Sequence, residues 1–347
     1  MSEISTSHPF SFVLFGGSGH LAKIKIYPAL YVLALKKRLP KDYAIVGYAR
    51  SDMDDAAFRK LVEEAIREHM IEVTEPALEE FMKHVYYQQG QYDSAADFTA
   101  LNEKLTAIEK GWKDNVRLAY YSVPPTVFGD ISHNLCEGNV HDGKIPFRCI
   151  VEKPVGDSLE SFEAIKKQLV GCFAEDEIYL LDHYLGKEAV RNIYYLRHAN
   201  PIFERILKNT LIDHVEITAM ENKGIEGRAG YFEAAGTFRD MFQSHLLMMA
   251  SLLTMRIQSD EDLAAGRADA LGQFYLPAAT DMDEVALQAQ YSGYQEEEGV
   301  KKGSRTNTFA CLKLMTRISK WDGVPFYLHS GKKLEKKETR ISIQFQE

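Results

Sequence analysis

A glycine-rich turn follows the first predicted strand and has the spacing of a phosphate-binding loop. The apolar run 10–15 predicts a strand, and a helical pattern of apolar residues begins soon after the turn. The turn and the start of that helix read Gly16, Gly17, Ser18, Gly19, His20, Leu21 and Ala22. Glycines let the backbone approach a pyrophosphate, and the helix N-terminus offers unpaired N–H groups. The spacing G-x-x-G-x-x-A therefore favours dinucleotide binding, although such a turn can also be purely structural.

Arg50 follows the second predicted strand, Tyr43–Ala49, and bears on which coenzyme the turn would hold. An NAD enzyme usually places Asp or Glu there to bind the ribose 2′-OH. A guanidinium instead matches a 2′-phosphate in charge and in bidentate geometry. We therefore predict NADP as the coenzyme, with NAD as a weaker alternative. In isolation, an arginine at a strand end is equally typical of an exposed surface.

Polar residues also follow two later strands. Glu152 and Lys153 close the predicted strand Phe147–Glu152. The residues after the strand Ile178–Leu181 include Asp182, His183, Tyr184 and Lys187. Ligands of open α/β sheets bind at the carboxyl ends of the strands. Each of these residues alone is more typical of a capped or solvated position, but their concentration at this edge indicates a site.

The predicted secondary structure that must position these residues differs between the two halves of the chain. Strands alternate with helices in the first half, which predicts βαβ units and a doubly wound, mainly parallel sheet. The predicted strands are Phe10–Phe15, Tyr43–Ala49, Val85–Gln89, Val116–Val123, Phe147–Glu152 and Ile178–Leu181. In the second half, one long helix, Tyr231–Thr254, precedes a run of strands, which predicts an α+β domain with a mainly antiparallel sheet. We place the domains at 1–181 and 182–347.

Composition narrows the class of protein. The chain has 347 residues, 45% of them hydrophobic and 26% charged, which suits a folded two-domain protein and excludes disorder. Its net charge of −9 argues against nucleic-acid binding. Four scattered cysteines without a C-x-x-C pair predict no disulfide and no structural zinc. The N-terminus lacks the features of a secretory signal and no apolar run is long enough to span a membrane, so we expect a cytoplasmic enzyme.

The chain resembles the glucose-6-phosphate dehydrogenase family. The resemblance rests on segments that occur in the family's order: GGSGHLAKIKIYP, VGYAR, VEKPVG, DHYLGKE, GIEGRAGYF, RDMFQSH and WDGVPFYLHSGKKL. It implies a Rossmann coenzyme domain, a β+α substrate domain, oxidation of glucose 6-phosphate at C1 by NADP, and homodimers or homotetramers of the full-length protein. Family chains continue well beyond this point, so we expect the second domain to be C-terminally incomplete.

The resemblance also implies roles for individual residues. His245 resembles the general base that removes the C1 hydroxyl proton, and Asp182 the carboxylate that pairs with it; without the resemblance, a core histidine would be the simpler interpretation of His245. Asp240, five residues earlier, is expected on a neighbouring flank of the same helix. The implied substrate-binding residues are His183, Tyr184, Lys187, Lys25, Lys153, Glu221, Asp240, Lys332 and Lys337. The implied coenzyme-binding residues are Gly16, Gly17, Ser18, Gly19, His20, Leu21, Arg50, Tyr92 and Lys153.

Two alternatives stay open. A sugar oxidoreductase of the glucose–fructose oxidoreductase type also has a Rossmann domain and a Glu-Lys-Pro segment. The phosphate-binding residues that the resemblance implies, His183, Lys187 and Lys332, argue against it. An inactive fragment that binds NADP without turnover is the second alternative. His20, Val155 and Ser244 depart from the family pattern, which bears on rate and affinity more than on reaction class. No metal site is expected.

Overall fold

The computed structural model describes residues 8–153, 155–156, 158–182, 186, 188–256 and 263–347, without the side chains of residues 188, 189 and 191. The chain folds into two compact units, Met1–Asp182 and His183–Glu347. Within the described residues, no helix is both long enough and apolar enough to cross a membrane.

The described part of the first unit is built on one parallel sheet of six strands. The strands are β1 (Phe10–Phe15), β2 (Tyr43–Ala49), β3 (Val85–Gln89), β4 (Val116–Tyr121), β5 (Phe147–Glu152) and β6 (Ile178–Leu181). Their order is β3-β2-β1-β4-β5-β6, and every neighbouring pair is parallel. The order reverses direction at β1, so the doubly wound sheet predicted from the sequence is confirmed, with its switch point at the glycine turn.

Helices cover this sheet, and β1 is buried on both faces. The helices are a π-helical segment (Ala22–Ile26), α1 (Tyr27–Leu35), α2 (Asp55–His69), α3 (Glu75–Met82), α4 (Ala95–Ile108), α5 (Phe128–Glu137) and α6 (Leu159–Val170). Phe12 and Leu14 pack into one apolar cluster, while Val13 and Phe15 pack into another. Burial on both faces is why the parallel strands read as continuous apolar runs.

A disulfide joins α5 to the end of α6, contrary to the sequence-based expectation. Cys136 pairs with Cys172, and their Cα atoms are 5.9 Å apart. The spacing of 36 residues gave no hint of this pairing, because the two cysteines meet only when α5 and α6 pack side by side. Cys149 and Cys311 are free thiols.

The second unit contains a mixed, mainly antiparallel sheet, which confirms the predicted α+β class. Its strands are β7 (Ile212–Met220), β8 (Phe274–Tyr275), β9 (Ala286–Ala289), β10 (Phe309–Thr316), β11 (Phe326–Gly331) and β12 (Glu338–Phe345). The order is β12-β7-β11-β10-β8, with β9 also on β10; β7 and β11 run parallel and the other pairs antiparallel. Its helices are α7 (Glu188–Ala199), α8 (Pro201–Ile206), α9 (Ala229–Thr237), a second π-helical segment (Phe238–Leu246), α10 (Leu247–Thr254) and α11 (Leu263–Gly272).

The prediction of one continuous helix over Tyr231–Thr254 is wrong. The backbone breaks at Gly236, where φ is 60° and ψ is 177°. Asn307, distant in sequence, holds the break: its side-chain oxygen accepts the N–H of Thr237 at 2.8 Å, and its carbonyl accepts the Thr237 hydroxyl at 3.0 Å. The helical pattern therefore spans three segments with different winding.

Candidate active site

The glycine turn is anchored to the neighbouring strand β2. Gly16 has φ +79°, and the N–H groups of Gly16 and Gly17 donate to the carbonyl of Tyr48 at 2.9 and 3.2 Å. A Cβ on Gly17 would lie 2.7 Å from the Cα of Gly47. A side chain at this position would therefore displace the backbone, so the close approach requires glycine.

The helix starts directly after the turn, so its first N–H groups face the same edge of the sheet. His20 and Leu21 form its first residues, and the π segment follows at Ala22. The first N–H groups of a helix have no intrahelical partners, and the helix dipole favours an anion beside them. Gly19 closes the turn by donating to the carbonyl of Gly16 at 2.8 Å. This cradle fits a coenzyme pyrophosphate.

Arg50 and Tyr92 lie beside this turn. The hydroxyl of Ser51 is 3.2 Å from that of Ser18 in the turn, which ties the residue after Arg50 to the cradle. The Arg50 guanidinium lies 5.9 Å from the centre of the Tyr92 ring. Burial raises the pKa of the Tyr92 hydroxyl more than the Arg50 charge lowers it, so the net shift is upward. The predicted cradle, cation and aromatic residue are therefore brought together in one unit, and Ser51 is a member that sequence reasoning missed.

The strand ends that follow β5 and β6 carry an ion pair. Glu152 pairs in register with Leu181, so the next residues, Lys153 and Asp182, leave the sheet side by side. The Lys153 ammonium lies 2.5 Å from the Asp182 carboxylate, whose side chain is largely buried. Two residues that the resemblance assigns to the site are therefore held together at the ligand-binding edge of the sheet.

Tyr120, at the same edge, is a residue that sequence reasoning missed. Its hydroxyl donates to the Glu152 carboxylate from the neighbouring strand. Burial, reinforced by Glu152, raises the pKa of the Tyr120 hydroxyl. The contact follows from the pairing of β4 with β5, and nothing in the local pattern of either strand marks it.

In the second unit, the π segment carries both Asp240 and His245, and His245 is buried. The sequence-based expectation placed the two on neighbouring flanks of one helix. In a π-helix the N–H groups bond to the carbonyl five residues earlier, so residues five apart lie closer to one side than α-helical winding would bring them.

Lys332 lies between two carboxylates. Gly331 pairs in register with Met220, so Lys332 and Glu221 leave adjacent parallel strands together. The Lys332 ammonium is 2.5 Å from Glu221 and 3.4 Å from Asp240, and the residue is 5% exposed. The same ammonium lies 5.1 Å from the centre of the Phe232 ring. Three residues predicted to bind substrate thus form one cluster.

The electrostatics of this cluster favour a charged Glu221. Burial raises the pKa of its carboxyl, but the hydrogen bond and charge of Lys332, together with the charges of Arg228 and Lys337, lower it more, so the net shift is downward. Lys337 is exposed, and its effect on Glu221 places its charge near the cluster. Arg228 is a further cation that sequence reasoning missed, although it stands in the segment GIEGRAGYF.

The remaining predicted residues are distributed as follows. Lys25 is exposed on the first π segment, in the first unit. His183, Tyr184 and Lys187, which the resemblance implies at the substrate phosphate, lie outside the described residues.

A glycine cradle at the switch point of a doubly wound sheet, followed by a cation after the second strand, is typical of a Rossmann-type dinucleotide-binding protein. Comparison with known protein families identifies the family more specifically. The model for "Glucose-6-phosphate dehydrogenase, NAD binding domain" matches residues 13–192, and the model for the C-terminal domain of the same enzyme matches residues 194–347. The chain belongs to the glucose-6-phosphate dehydrogenase family.

Individual relatives agree with this assignment. Glucose-6-phosphate 1-dehydrogenase of Schizosaccharomyces pombe is 36% identical over 99% of this chain and 70% of its own length, and that of Aspergillus niger is 38% identical over 96% and 67%. A solved glucose-6-phosphate dehydrogenase in complex with its substrate glucose 6-phosphate superposes with a TM-score of 0.90 at 32% identity, covering 99% of this chain and 73% of that one. The enzyme from Mycobacterium avium gives 0.86 at 29% identity, over 97% and 72%. The chain therefore spans about 70% of the length of such relatives.

Proposed function

We propose that the chain oxidises glucose 6-phosphate at C1 to 6-phosphoglucono-lactone and passes the hydride to NADP in preference to NAD. Family membership supports the reaction class. The observation that carries the proposal is the buried Lys332 between Glu221 and Asp240, on the unit whose π segment also holds His245. A sugar phosphate needs hydrogen-bonding carboxylates for its hydroxyls and local positive charge, and this cluster provides both in a chain of net charge −9.

His245 takes the proton of the C1 hydroxyl in this proposal. An imidazole suits a general base because its ordinary pKa lies near neutral pH. A nicotinamide coenzyme held at the glycine turn would supply the acceptor for the hydride that leaves C1. Asp240 and Glu221 accept hydrogen bonds from sugar hydroxyls and so orient C1, which is the main contribution that a protein makes to hydride transfer. The role of Asp182 beside the base, and of His183, Tyr184 and Lys187 at the phosphate, stays a prediction from the family resemblance.

The choice of NADP rests on the first unit. The backbone cradle formed by Gly16, Gly17, Ser18 and Gly19 would hold the pyrophosphate. Arg50, fixed beside that cradle by the contact between Ser51 and Ser18, would bind the 2′-phosphate. Tyr92 offers the Arg50 guanidinium an aromatic face, which limits the positions it can take.

The reaction is tested by NADPH formation from purified protein with glucose 6-phosphate. Substantial turnover with glucose 6-phosphate and little with glucose supports the proposal. Equal rates with the two sugars would favour an oxidoreductase of the glucose–fructose oxidoreductase type, and coenzyme binding without turnover would favour an inactive NADP-binding fragment. His245→Asn should abolish turnover and leave glucose 6-phosphate binding largely intact; normal turnover would remove His245 as the base.

Arg50→Ala tests coenzyme preference. We expect its KM for NADP to rise about tenfold or more, the worth of a charged hydrogen bond, with a much smaller effect on NAD. Arg148→Ala is a matched control, because Arg148 lies at the same 5.9 Å from the ring of Tyr179 in the same sheet but away from the glycine turn. Equal weakening of NADP and NAD by Arg50→Ala would contradict the assignment.

A further inference from the structure

Tyr231 reaches the substrate cluster from α9, the helix that precedes the break. Its side chain is 44% exposed, and its hydroxyl donates to the Oδ1 atom of Asp240 at 3.2 Å. The residue was not among the sequence candidates, because an exposed tyrosine on a helix has no distinctive pattern. Its neighbour Phe232 is buried and lies against Lys332, so α9 brings two consecutive aromatic residues to the cluster.

The two oxygens of Asp240 have different partners. Oδ1 accepts from Tyr231, while Oδ2 lies 3.4 Å from the ammonium of Lys332. That ammonium is already held at 2.5 Å by Glu221. A carboxylate held at both oxygens keeps one orientation, and its remaining lone pairs then point in fixed directions.

Without Tyr231, nothing in this set holds Oδ1 away from Lys332. The carboxylate of Asp240 could then turn toward the ammonium and exchange a hydrogen bond from tyrosine for a closer ion pair. Such a pair would occupy the Asp240 carboxylate, which a sugar hydroxyl needs as its hydrogen-bond acceptor. It would also occupy the Lys332 ammonium, which a phosphorylated sugar needs as a positive charge. The hydroxyl is suited to this task because burial and the charge of Asp240 raise the pKa of Tyr231 to about 12, so it remains a donor throughout the neutral range.

We propose that Tyr231 is a positioning residue that sets specificity by fixing the orientation of Asp240 toward a hydroxyl of the sugar substrate. This inference rests on the proposed function, since it assigns Asp240 to the sugar. Tyr231 takes no part in proton or hydride transfer, and its effect is confined to binding. A site that holds a fixed acceptor discriminates against sugars that lack the matching hydroxyl, because the acceptor is then left unpaired.

The test is the steady-state kinetics of Tyr231→Phe. We expect KM for glucose 6-phosphate to rise about tenfold, as for loss of a hydrogen bond to a charged group, and kcat to stay within about twofold of the wild type. Deoxy analogues of glucose 6-phosphate, each lacking one hydroxyl, should include one that the variant discriminates against less than the wild type does. Tyr291→Phe is the matched control: it removes a tyrosine–carboxylate bond, to Glu297 at 3.0 Å, that involves neither Asp240 nor Lys332, and should change KM far less.

A double-mutant cycle separates positioning from a structural role. If Tyr231 acts through Asp240, adding Tyr231→Phe to Asp240→Asn should change KM by less than about twofold. Equal effects in both backgrounds, or an unchanged KM in the single variant, would overturn the proposal. So would a Tyr231→Phe protein that melts early and no longer binds coenzyme, because the hydroxyl would then be structural. No turnover by the wild type would instead overturn the proposed function, and this inference with it.

Discussion

Replacing Gly236 with alanine tests whether the helix that carries Asp240 and His245 must break where the structure breaks it. With φ of 60° and ψ of 177°, Gly236 occupies a backbone region that other residues adopt at a cost of about 1–3 kcal/mol. An added Cβ would lie 3.3 Å from Oδ1 of Asn307, the atom that accepts the N–H of Thr237. We therefore expect a loss of about 2 kcal/mol, which lowers Tm by about 4–8 °C for a domain of this size.

Gly230→Ala is the control, because Gly230 lies in the same helix α9 and has no neighbouring atom within 4 Å of an added Cβ. Alanine in a regular helix is favoured over glycine by up to about 1 kcal/mol, so this variant should be as stable as the wild type or more stable. Thermal unfolding followed by circular dichroism measures both. If the helix were continuous over Tyr231–Thr254, Gly236→Ala would stabilise it as well, and a Gly236→Ala protein as stable as the wild type would refute the break.

Activity gives a second readout of the same substitution. The break sets the direction in which the π segment leaves α9, and that segment carries Asp240 and His245. Small displacements of reacting groups are costly, so we expect kcat of Gly236→Ala to fall by about tenfold to a hundredfold in protein that is still folded at the assay temperature. Gly230→Ala should keep the wild-type kcat.

Three further predictions concern other parts of the chain. Cys136→Ser should lower the stability of the first unit by about 3 kcal/mol, and a reductant should destabilise the wild type but not the variant in thermal unfolding. Burial raises the pKa of Glu204, but Arg197 and Lys320 lower it more, so the net shift is downward. The ionised carboxylate therefore stabilises the fold above the ordinary carboxyl pKa, and this stability is lost as the pH falls through the lowered pKa. Denaturant titrations should show Glu204→Gln about 1–2 kcal/mol less stable than the wild type at neutral pH and equal to it in acid. Gly17→Ala should weaken NADP binding, measured by fluorescence quenching, because its Cβ would meet the backbone of Gly47.

The first unit follows from the sequence largely because its central strands β1 and β2 are buried on both faces. Phe10–Phe15 and Tyr43–Ala49 are buried throughout, and their predicted bounds match the structure. Once the strands and their parallel order are known, the ends of neighbouring strands must meet. The adjacency of Lys153 and Asp182 is therefore predictable from register alone, before any contact is measured.

The second unit was less predictable because its decisive contacts join distant segments. The break at Gly236 depends on Asn307, which is 70 residues from Thr237, and a glycine inside an apolar helical pattern does not reveal it. The contact of Tyr231 with Asp240 depends in turn on that break. The disulfide between Cys136 and Cys172 was missed for the same reason, since spacing does not show which helices pack together.

Each unit contains a π-helical segment that carries predicted site residues. One follows the glycine turn and carries Lys25; the other follows the break and carries Asp240 and His245. In an α-helix, residues five apart point about 140° away from each other, whereas the proposed function requires Asp240 and His245 to face one bound sugar. Wider winding reduces this angle, at the expense of hydrogen-bond geometry that regular helices retain. The local sequence Phe238–Leu246 is helical in pattern but does not distinguish π from α winding, so the relative placement of Asp240 and His245 was not predictable from that segment alone.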